Sequence, residues 1–191
     1  MADDEALLDA WRAGDRDAGD QLIGRHFDAV LRFFRSKLGD DVEDLVQRTF
    51  LDCVEGRDRI RQPSFRAYLF GVARHRLFDH LRRDLRRPAG SLGEISMIDL
   101  RTRPSTHLAR AEHQALVLEA MQALPLDFQI ALELAYWEDL RGAEIAAVLE
   151  ISEHTVRSRL SRGRAMLREQ LGALGADPRP RALDDPEETS G

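Results

Sequence analysis

The sequence predicts an all-α protein of two small helical domains joined by a flexible linker. Apolar residues recur at helical spacing through most of residues 5–87 and again beyond residue 107. Alternation of the kind found in strands is absent over any useful length. Between the two helical regions, residues 88–106 contain proline and glycine without a sustained period, which is typical of a linker.

The first predicted domain covers residues 1–87. Gly39-Asp40-Asp41 interrupts its helical pattern, and we expect an aspartate there to cap the helix that follows. Pro63-Ser64 is a suitable start for a long helix whose inward row includes Phe65 and Leu69. That helix is expected to end near Arg87-Pro88, because proline disfavours helix in the residue before it.

The second predicted domain covers residues 107–171 and contains a helix-turn-helix motif over residues 141–168. Its turn is Glu150-Ile151-Ser152, in which Ser152 is a suitable N-cap for the second helix. Glycine is common at the position of Glu150, so we expect left-handed backbone there at a cost of about 1 kcal/mol. The tail, residues 172–191, is acidic and rich in proline and glycine, and is expected to be disordered.

Charge is distributed unevenly along the chain, although the net charge is −6. Residues 1–55 hold 7 basic and 14 acidic side chains, a net charge of −7, whereas residues 56–87 hold 10 basic and 3 acidic side chains, a net charge of +7. Residues 113–150 sum to −6 and residues 151–171 to +3. Two basic segments, each preceded by an acidic one, indicate two DNA-facing surfaces and a surface for another partner. Ordinary solvated helix faces are the alternative.

Several functional classes are disfavoured by the sequence. No apolar run approaches the roughly 20 residues of a spanning helix, and the acidic start is unlike a signal peptide, so we expect a cytoplasmic location and no membrane partner. The single cysteine, Cys53, offers neither an internal disulfide nor a metal cluster. His75 and His80 are spaced wrongly for a metal pair, and no phosphate-binding loop or nucleophile elbow occurs. We expect no catalytic residue, metal or cofactor.

The second helix of the helix-turn-helix motif carries side chains suited to DNA on its predicted exposed faces. Arginine binds guanine edges or phosphates, and serine and threonine hydroxyls reach bases or backbone. A major groove admits one helix of this kind. The candidate DNA-binding residues are His154, Thr155, Arg157, Ser158, Arg159, Ser161 and Arg162. A plain helical hairpin with a charged face is the alternative interpretation.

Two sets of motifs follow one another along the chain. The first is Asp44-Leu45-Val46-Gln47-Arg48-Thr49-Phe50 with Phe65-Arg66-Ala67-Tyr68-Leu69-Phe70-Gly71-Val72-Ala73-Arg74, and the second is Leu124-Pro125, Glu144-Ile145-Ala146 and the segment from Thr155 to Arg164. Together they resemble regions 2 and 4 of the extracytoplasmic-function (ECF, group 4) sigma factors of the sigma-70 family. The resemblance covers roughly residues 5–171, and region 3 of the larger sigma factors is missing.

The resemblance implies a region 2 helical bundle in the first domain, for polymerase binding and for recognition and melting of the −10 element. Asp44, Gln47 and Arg48 would contact the clamp helices of the polymerase β′ subunit, with Arg48 where the family usually has glutamate. The residues implied for the −10 element are Arg59, Arg61, Phe65, Arg66, Tyr68, Phe70 and Arg74. Single-stranded bases are held by aromatic stacking in a basic groove, which suits this composition.

The orientation of the three aromatic residues decides which of them reach DNA. Phe65 shares a helix face with Leu69, which favours a core position for Phe65. For Tyr68 and Phe70, stacking on bases and packing in the core both remain open. Farther along, the arginines implied to track duplex phosphates are Arg74, Arg76, Arg82, Arg83, Arg86 and Arg87.

The resemblance also implies that region 4, residues 107–171, reads the −35 element through its helix-turn-helix and contacts the polymerase β flap. The expected function is therefore that of a non-enzymatic RNA polymerase sigma factor, which binds core polymerase and directs promoter-specific transcription initiation. An anti-sigma factor is a further partner that the family implies, although no residue reports one.

Three other interpretations remain open. A helix-turn-helix repressor or activator that never joins polymerase explains residues 141–168 but leaves the pattern of residues 44–74 unexplained. An enzyme acting on nucleic acid predicts a metal-dependent activity for which no motif is present. A pure interaction module of helical hairpins predicts no salt-sensitive binding to DNA.

Overall fold

The computed structural model describes residues 3–60, 64–85 and 108–175, and within these ranges the regular structure is entirely helical. The chain divides into two units, residues 1–102 and 103–191. The prediction of an all-α fold with two helical domains is confirmed. The linker predicted over residues 88–106, and the predicted disordered tail beyond residue 175, lie outside the described residues.

The described residues of the first unit form four α-helices and one 3-10 helix. They are α1 (Asp4–Arg12), α2 (Arg16–Leu38), α3 (Glu43–Gly56), η1 (Arg57–Arg59) and α4 (Phe65–Leu85). Helix α1 packs on α2, α3 packs on α4, and α2 contacts both α3 and α4. The core includes Leu22, Phe34, Phe65, Leu69 and Phe70, which are fully buried. Burial of a side chain of this size stabilises a fold by about 1.5–3 kcal/mol.

The predicted aspartate cap of α3 is wrong, because Val42 occupies the N-cap position. Val42 is buried in the core, so the helix begins after it rather than after Asp40 or Asp41. The Glu43 carboxylate accepts a hydrogen bond from the Val42 amide at 3.1 Å. At α4 the prediction is confirmed, since the Ser64 hydroxyl accepts a hydrogen bond from the Ala67 amide at 3.1 Å.

The second unit contains α5 (Leu108–Gln122), α6 (Leu126–Tyr136), α7 (Gly142–Leu149) and α8 (Glu153–Ala173). Helix α8 packs against the other three and runs two residues beyond the predicted domain end. One cluster in the core of this unit is formed by Ala120, Met121, Leu124, Leu132, Leu167 and Leu171. Gly163 allows α8 to approach α6 closely, because a Cβ atom there would lie 3.3 Å from the Leu132 side chain.

The helix-turn-helix turn has the predicted geometry. Glu150 has φ 58° and ψ 42°, the left-handed conformation, and the Ile151 amide donates to the Ala146 carbonyl at 3.1 Å. The Ser152 hydroxyl accepts a hydrogen bond from the Thr155 amide at 3.1 Å. The predictions of a left-handed Glu150 and of a Ser152 cap are both confirmed.

Candidate polymerase and nucleic-acid interfaces

The outer face of α3 carries the three residues that the sequence assigns to polymerase binding. Asp44, Gln47 and Arg48 are exposed, while the opposite face of the helix packs into the core. The Arg48 Nε atom donates to the Asp44 carboxylate at 3.0 Å. Both side chains stay largely in solvent, and an exposed pair of this kind contributes at most about 1 kcal/mol. The pair therefore leaves both groups available to a partner.

Two apolar side chains beside this face were missed by sequence reasoning. Leu51 on α3 is 51% exposed, and Phe27 on α2 is 44% exposed. The Phe27 ring stacks on that of Phe50, with centroids 5.9 Å apart and an interplanar angle of 13°. Helical spacing indicates the position of Leu51, since it lies four residues after Gln47 and three after Arg48. The face is consequently mixed, with charged and apolar groups side by side.

Two of the aromatic residues assigned to the −10 element are core residues. Phe65 is 1% exposed and Phe70 is 0% exposed. Phe65 packs against the His26 ring at 5.8 Å between centroids, and Phe70 packs against Phe33 at the same distance. A ring without an exposed face does not stack on a base, so we withdraw Phe65 and Phe70 from the candidate base-binding set.

The described −10 candidates that remain are the half-buried side chains Arg66, Tyr68 and Arg74 on α4. The Tyr68 hydroxyl lies against Gly56, where a Cβ atom would be 2.0 Å from it. The guanidinium carbon of Arg74 lies 5.0 Å from the centroid of the Phe78 ring. Arg61 and the side chain of Arg59 lie outside the described residues.

One member of the expected phosphate-binding row, Arg76, instead joins two helices. Its Nε and Nη2 atoms donate to the two Asp52 carboxylate oxygens at 2.6 Å and 2.5 Å, which links α4 to α3. These hydrogen bonds raise the pKa of Arg76 above its ordinary value, so the group stays charged. Arg82 and Arg83 farther along α4 are exposed, and Arg86 and Arg87 lie outside the described residues.

The candidate −35 residues lie along the first half of α8. Ser158 and Arg159 are partly buried, and the Arg159 Nη2 atom is 3.7 Å from the Asp127 carboxylate of α6. The Arg162 guanidinium donates to the Ser158 hydroxyl at 2.9 Å. Arg159 is therefore less available to DNA than its sequence position suggests. The exposed candidates are His154, Thr155, Arg157, Ser161 and Arg162.

No metal-binding cluster of three or more histidine, cysteine, aspartate or glutamate side chains occurs in the described ranges. Cys53 is fully buried, and burial raises its pKa to about 12. The protonated thiol is therefore the favoured form at neutral pH, and this form is a poor nucleophile and a poor metal ligand. Among the described helices, none combines the length and apolar character needed to cross a membrane.

Two family models match the chain, one in each unit. The description "Sigma-70 region 2" matches residues 22–87, and "Sigma-70, region 4" matches residues 114–167. The first match runs from α2 to the end of α4 and includes the outer face of α3. The second includes the helix-turn-helix formed by α7 and α8. A helical region 2 followed by a helix-turn-helix region 4 defines a promoter-recognition subunit of the sigma-70 class.

Comparison with similar proteins identifies the group within this class to which the chain is related. The chain is 31% identical over 174 residues to the ECF RNA polymerase sigma factor SigM of Mycobacterium tuberculosis, with 90% of this chain and 86% of the relative covered. A solved structure of CnrH in complex with the cytosolic domain of CnrY has a TM-score of 0.65 and 27% identity, and covers 89% of this chain and 97% of that chain. The sigma factor RpoE in complex with the anti-sigma factor NepR from Bartonella quintana has a TM-score of 0.64 and 25% identity, with 80% and 96% covered.

The chain belongs to the ECF RNA polymerase sigma factors of the sigma-70 family. It binds core RNA polymerase and directs promoter-specific transcription initiation.

Proposed function

We propose that three surfaces of this sigma factor each bind a different target. The outer face of α3, with Asp44, Gln47 and Arg48, contacts the β′ clamp helices of core polymerase. The η1–α4 segment captures unpaired bases of the −10 element, and the first half of α8 enters the major groove at the −35 element. The single observation that carries the proposal is that each surface keeps polar or charged side chains exposed or half-buried on a helix whose other face is core.

The α3 face suits a protein partner because it mixes charge with exposed apolar area. Asp44 and Arg48 offer hydrogen-bonding groups, and Leu51 and Phe27 offer surface whose burial is favourable at about 25 cal/mol per Å². The basic segments elsewhere suit DNA, since residues 56–87 and 151–171 are the two positively charged parts of the chain.

Promoter opening needs no catalytic step by this chain, which we propose is not an enzyme. Capture of unstacked bases by Tyr68 and the neighbouring Arg66 lowers the free energy of the melted duplex. Polymerase performs the chemistry, so we propose a cytoplasmic location where polymerase acts. Joining two modest DNA contacts on one chain raises the effective concentration of the second contact.

An anti-sigma factor is a further proposed partner. Two solved structures similar to this chain are complexes, one of CnrH with the cytosolic domain of CnrY and one of the sigma factor RpoE with the anti-sigma factor NepR. In this chain the exposed Phe27 and Leu51 beside the polymerase-binding face give an inhibitor an apolar surface to cover. Such a partner would compete directly with core polymerase.

The polymerase assignment is tested by binding of the full chain to purified bacterial core polymerase, measured by fluorescence anisotropy. Asp44→Ala with Gln47→Ala should weaken binding at least about tenfold, a loss of about 1.4 kcal/mol. The matched control is Asp20→Ala with Gln21→Ala, which removes the same side chains from an exposed position on α2. Equal affinity of the two variants would overturn the assignment of α3.

The −35 assignment is tested with duplexes selected by the wild-type holoenzyme from a random library. Arg157→Ala should lower discrimination between the selected −35 sequence and a scrambled one by about 1–3 kcal/mol, while core binding stays unchanged. Arg168→Ala, an exposed arginine farther along α8, is the control and should retain the discrimination. Unchanged discrimination by Arg157→Ala would count against this helix as the reader of the −35 element.

A further inference from the structure

We propose that Arg12 of α1 is a positioning residue for promoter opening. Its guanidinium holds the turn that contains η1, residues 57–60, by hydrogen bonds to two main-chain carbonyl groups. This inference rests on the proposed role of the η1–α4 segment in binding the −10 element. Helix α1 lies outside both motif sets, and this inference gives it a role in promoter opening.

The contact joins the end of the first helix to a turn far along the chain. The Arg12 Nε atom donates to the Arg57 carbonyl at 3.1 Å, and its Nη2 atom donates to the Ile60 carbonyl at 3.1 Å. The two carbonyls lie at either end of the turn that contains η1. The planar fork of arginine spans both acceptors at once, which the single ammonium of lysine does not.

Helix α1 is itself fixed, so the turn is held against a rigid element. Trp11 is buried, and a Cβ atom on Gly19 of α2 would lie 2.5 Å from its Nε1 atom. The absence of a side chain at Gly19 therefore allows the ring to lie directly on α2. On the turn side, the Arg57 guanidinium carbon is 5.9 Å from the Trp11 ring centroid, which adds a cation–π contact.

The turn is connected to a residue proposed to bind unpaired bases. The hydroxyl of Tyr68 lies against Gly56, the residue that immediately precedes η1. The buried side chain of Ile60 fixes the other end of the turn in the core. Movement of the turn would therefore move the surface against which Tyr68 is seated. Holding the turn before DNA binds reduces the ordering entropy that base capture would otherwise cost.

A contact that only stabilised the fold would have a different signature. Loss of stability in the first unit would weaken polymerase binding through α3 as well as DNA binding. Loss of positioning would weaken capture of single-stranded DNA while polymerase binding through α3 stayed intact. The ratio of these two affinities therefore separates the two roles.

The experiment uses holoenzymes assembled from core polymerase and the full chain as wild type, Arg12→Ala, Arg12→Lys or Asp9→Ala. The probe is a single-stranded non-template oligonucleotide that carries the −10 sequence of a promoter selected by the wild-type holoenzyme. We expect Arg12→Ala to lower its affinity by at least about tenfold, with affinity for core polymerase within about twofold of wild type. The oligonucleotide affinity of Arg12→Lys should lie close to that of Arg12→Ala, because the lysine ammonium cannot span both carbonyls.

Asp9→Ala is the matched control, since Asp9 pairs with the Arg12 Nη1 atom at 3.2 Å and is largely exposed. It removes that pair and leaves both carbonyl bonds, so oligonucleotide affinity should stay within about twofold. A loss as large as that of Arg12→Ala would show that charge on α1, not the contact to the turn, matters. A parallel loss of polymerase binding in Arg12→Ala would show a structural role and overturn the proposal.

Arg66→Ala separates failure of this inference from failure of the proposed function. If Arg66→Ala loses oligonucleotide binding and Arg12→Ala does not, the −10 surface is correct and the role of Arg12 is wrong. If neither variant loses binding, the assignment of the −10 surface is wrong and the role of Arg12 is wrong with it.

Discussion

His26 is a buried titratable residue where α1, α2 and α4 meet. Its Nε2 atom lies 2.7 Å from an Asp4 carboxylate oxygen, and its ring packs against Phe65. Burial lowers the pKa of His26 below its ordinary value of 6.5, although the Asp4 carboxylate opposes this shift. Arg25 and Arg66 add to the lowering through their positive charge. The neutral imidazole is thus the form that the folded unit favours.

The folded unit should lose stability as the pH falls. Between the lowered pKa of His26 and its value of about 6.5 in the unfolded chain, the unfolded chain binds more protons, so acid favours unfolding. The contribution is fully present above about pH 6.5 and declines as the pH falls toward the folded pKa. Thermal unfolding from about pH 5.5 to 8 should show this slope, and His26→Gln should reduce it. A wild-type unfolding temperature that rises as the pH falls would contradict the prediction.

Glu150 carries a local cost because it holds the left-handed conformation without being glycine. Glu150→Gly should stabilise the second unit by up to about 1 kcal/mol, measured by urea unfolding, since glycine adopts this conformation without a Cβ clash. The control is Glu169→Gly, at an exposed position inside α8, which should destabilise by about 0.5–1 kcal/mol. Destabilisation by both variants to the same extent would mean that the Glu150 conformation carries no relievable strain.

At the scale of whole helices, the sequence predicts most of the fold because one residue in three or four must enter a core. The stripe through Leu45, Val46 and Phe50 and the Ser152 cap appear in the structure as predicted. The α3 cap was wrong because burial of Val42, a tertiary effect, sets where the helix begins. The sequence did not decide whether Phe70 is buried or exposed, because helical spacing alone does not say how wide the buried face is. Tertiary packing sets that width.

Ion pairs between side chains on different helices have no local sequence signal. The candidate DNA-binding residues that differ most from the prediction are therefore those that form such pairs. Asp52 and Arg76 are 24 residues apart, and only packing of α3 on α4 brings them together. Arg159 near Asp127 is a second case, in which a residue suited to DNA is partly held by the neighbouring helix. The exposure of Asp44, Gln47 and Arg48 was predictable because it depends on the spacing within one helix alone.

The Asp52–Arg76 pair should contribute measurably to the packing of α3 on α4. It is bidentate and each side chain is 30% exposed, so we expect a coupling energy of about 1–2 kcal/mol in a double-mutant cycle of Asp52→Ala and Arg76→Ala. The more exposed Asp79–Arg82 pair within α4 is the comparison and should give less than about 0.5 kcal/mol. Equal coupling energies for the two pairs would show that the bidentate geometry adds nothing.

Over the whole molecule, the proposed function depends on two units, each of which is proposed to read part of a promoter. The net charge of −6 disfavours DNA as a partner for the chain as a whole, so the basic segments act locally. A DNA contact of modest affinity in each unit is sufficient for promoter binding when polymerase and the connecting chain keep both units near the promoter. We therefore predict that the connection between the units affects promoter recognition mainly through its length.

Lengthening the predicted linker, residues 88–106, should therefore have a small effect. Inserting about ten Gly-Ser residues lowers the effective concentration of one unit near the other by about twofold, because loop-closure entropy grows only with the logarithm of length. Transcription from a promoter selected by the wild-type holoenzyme should fall by no more than this, with core binding unchanged. An insertion of equal length within α8, after Arg162, should abolish promoter discrimination, since it breaks the helix that is proposed to enter the major groove. A linker insertion as damaging as the α8 insertion would mean that residues 88–106 make specific contacts essential to initiation and are not a passive connection.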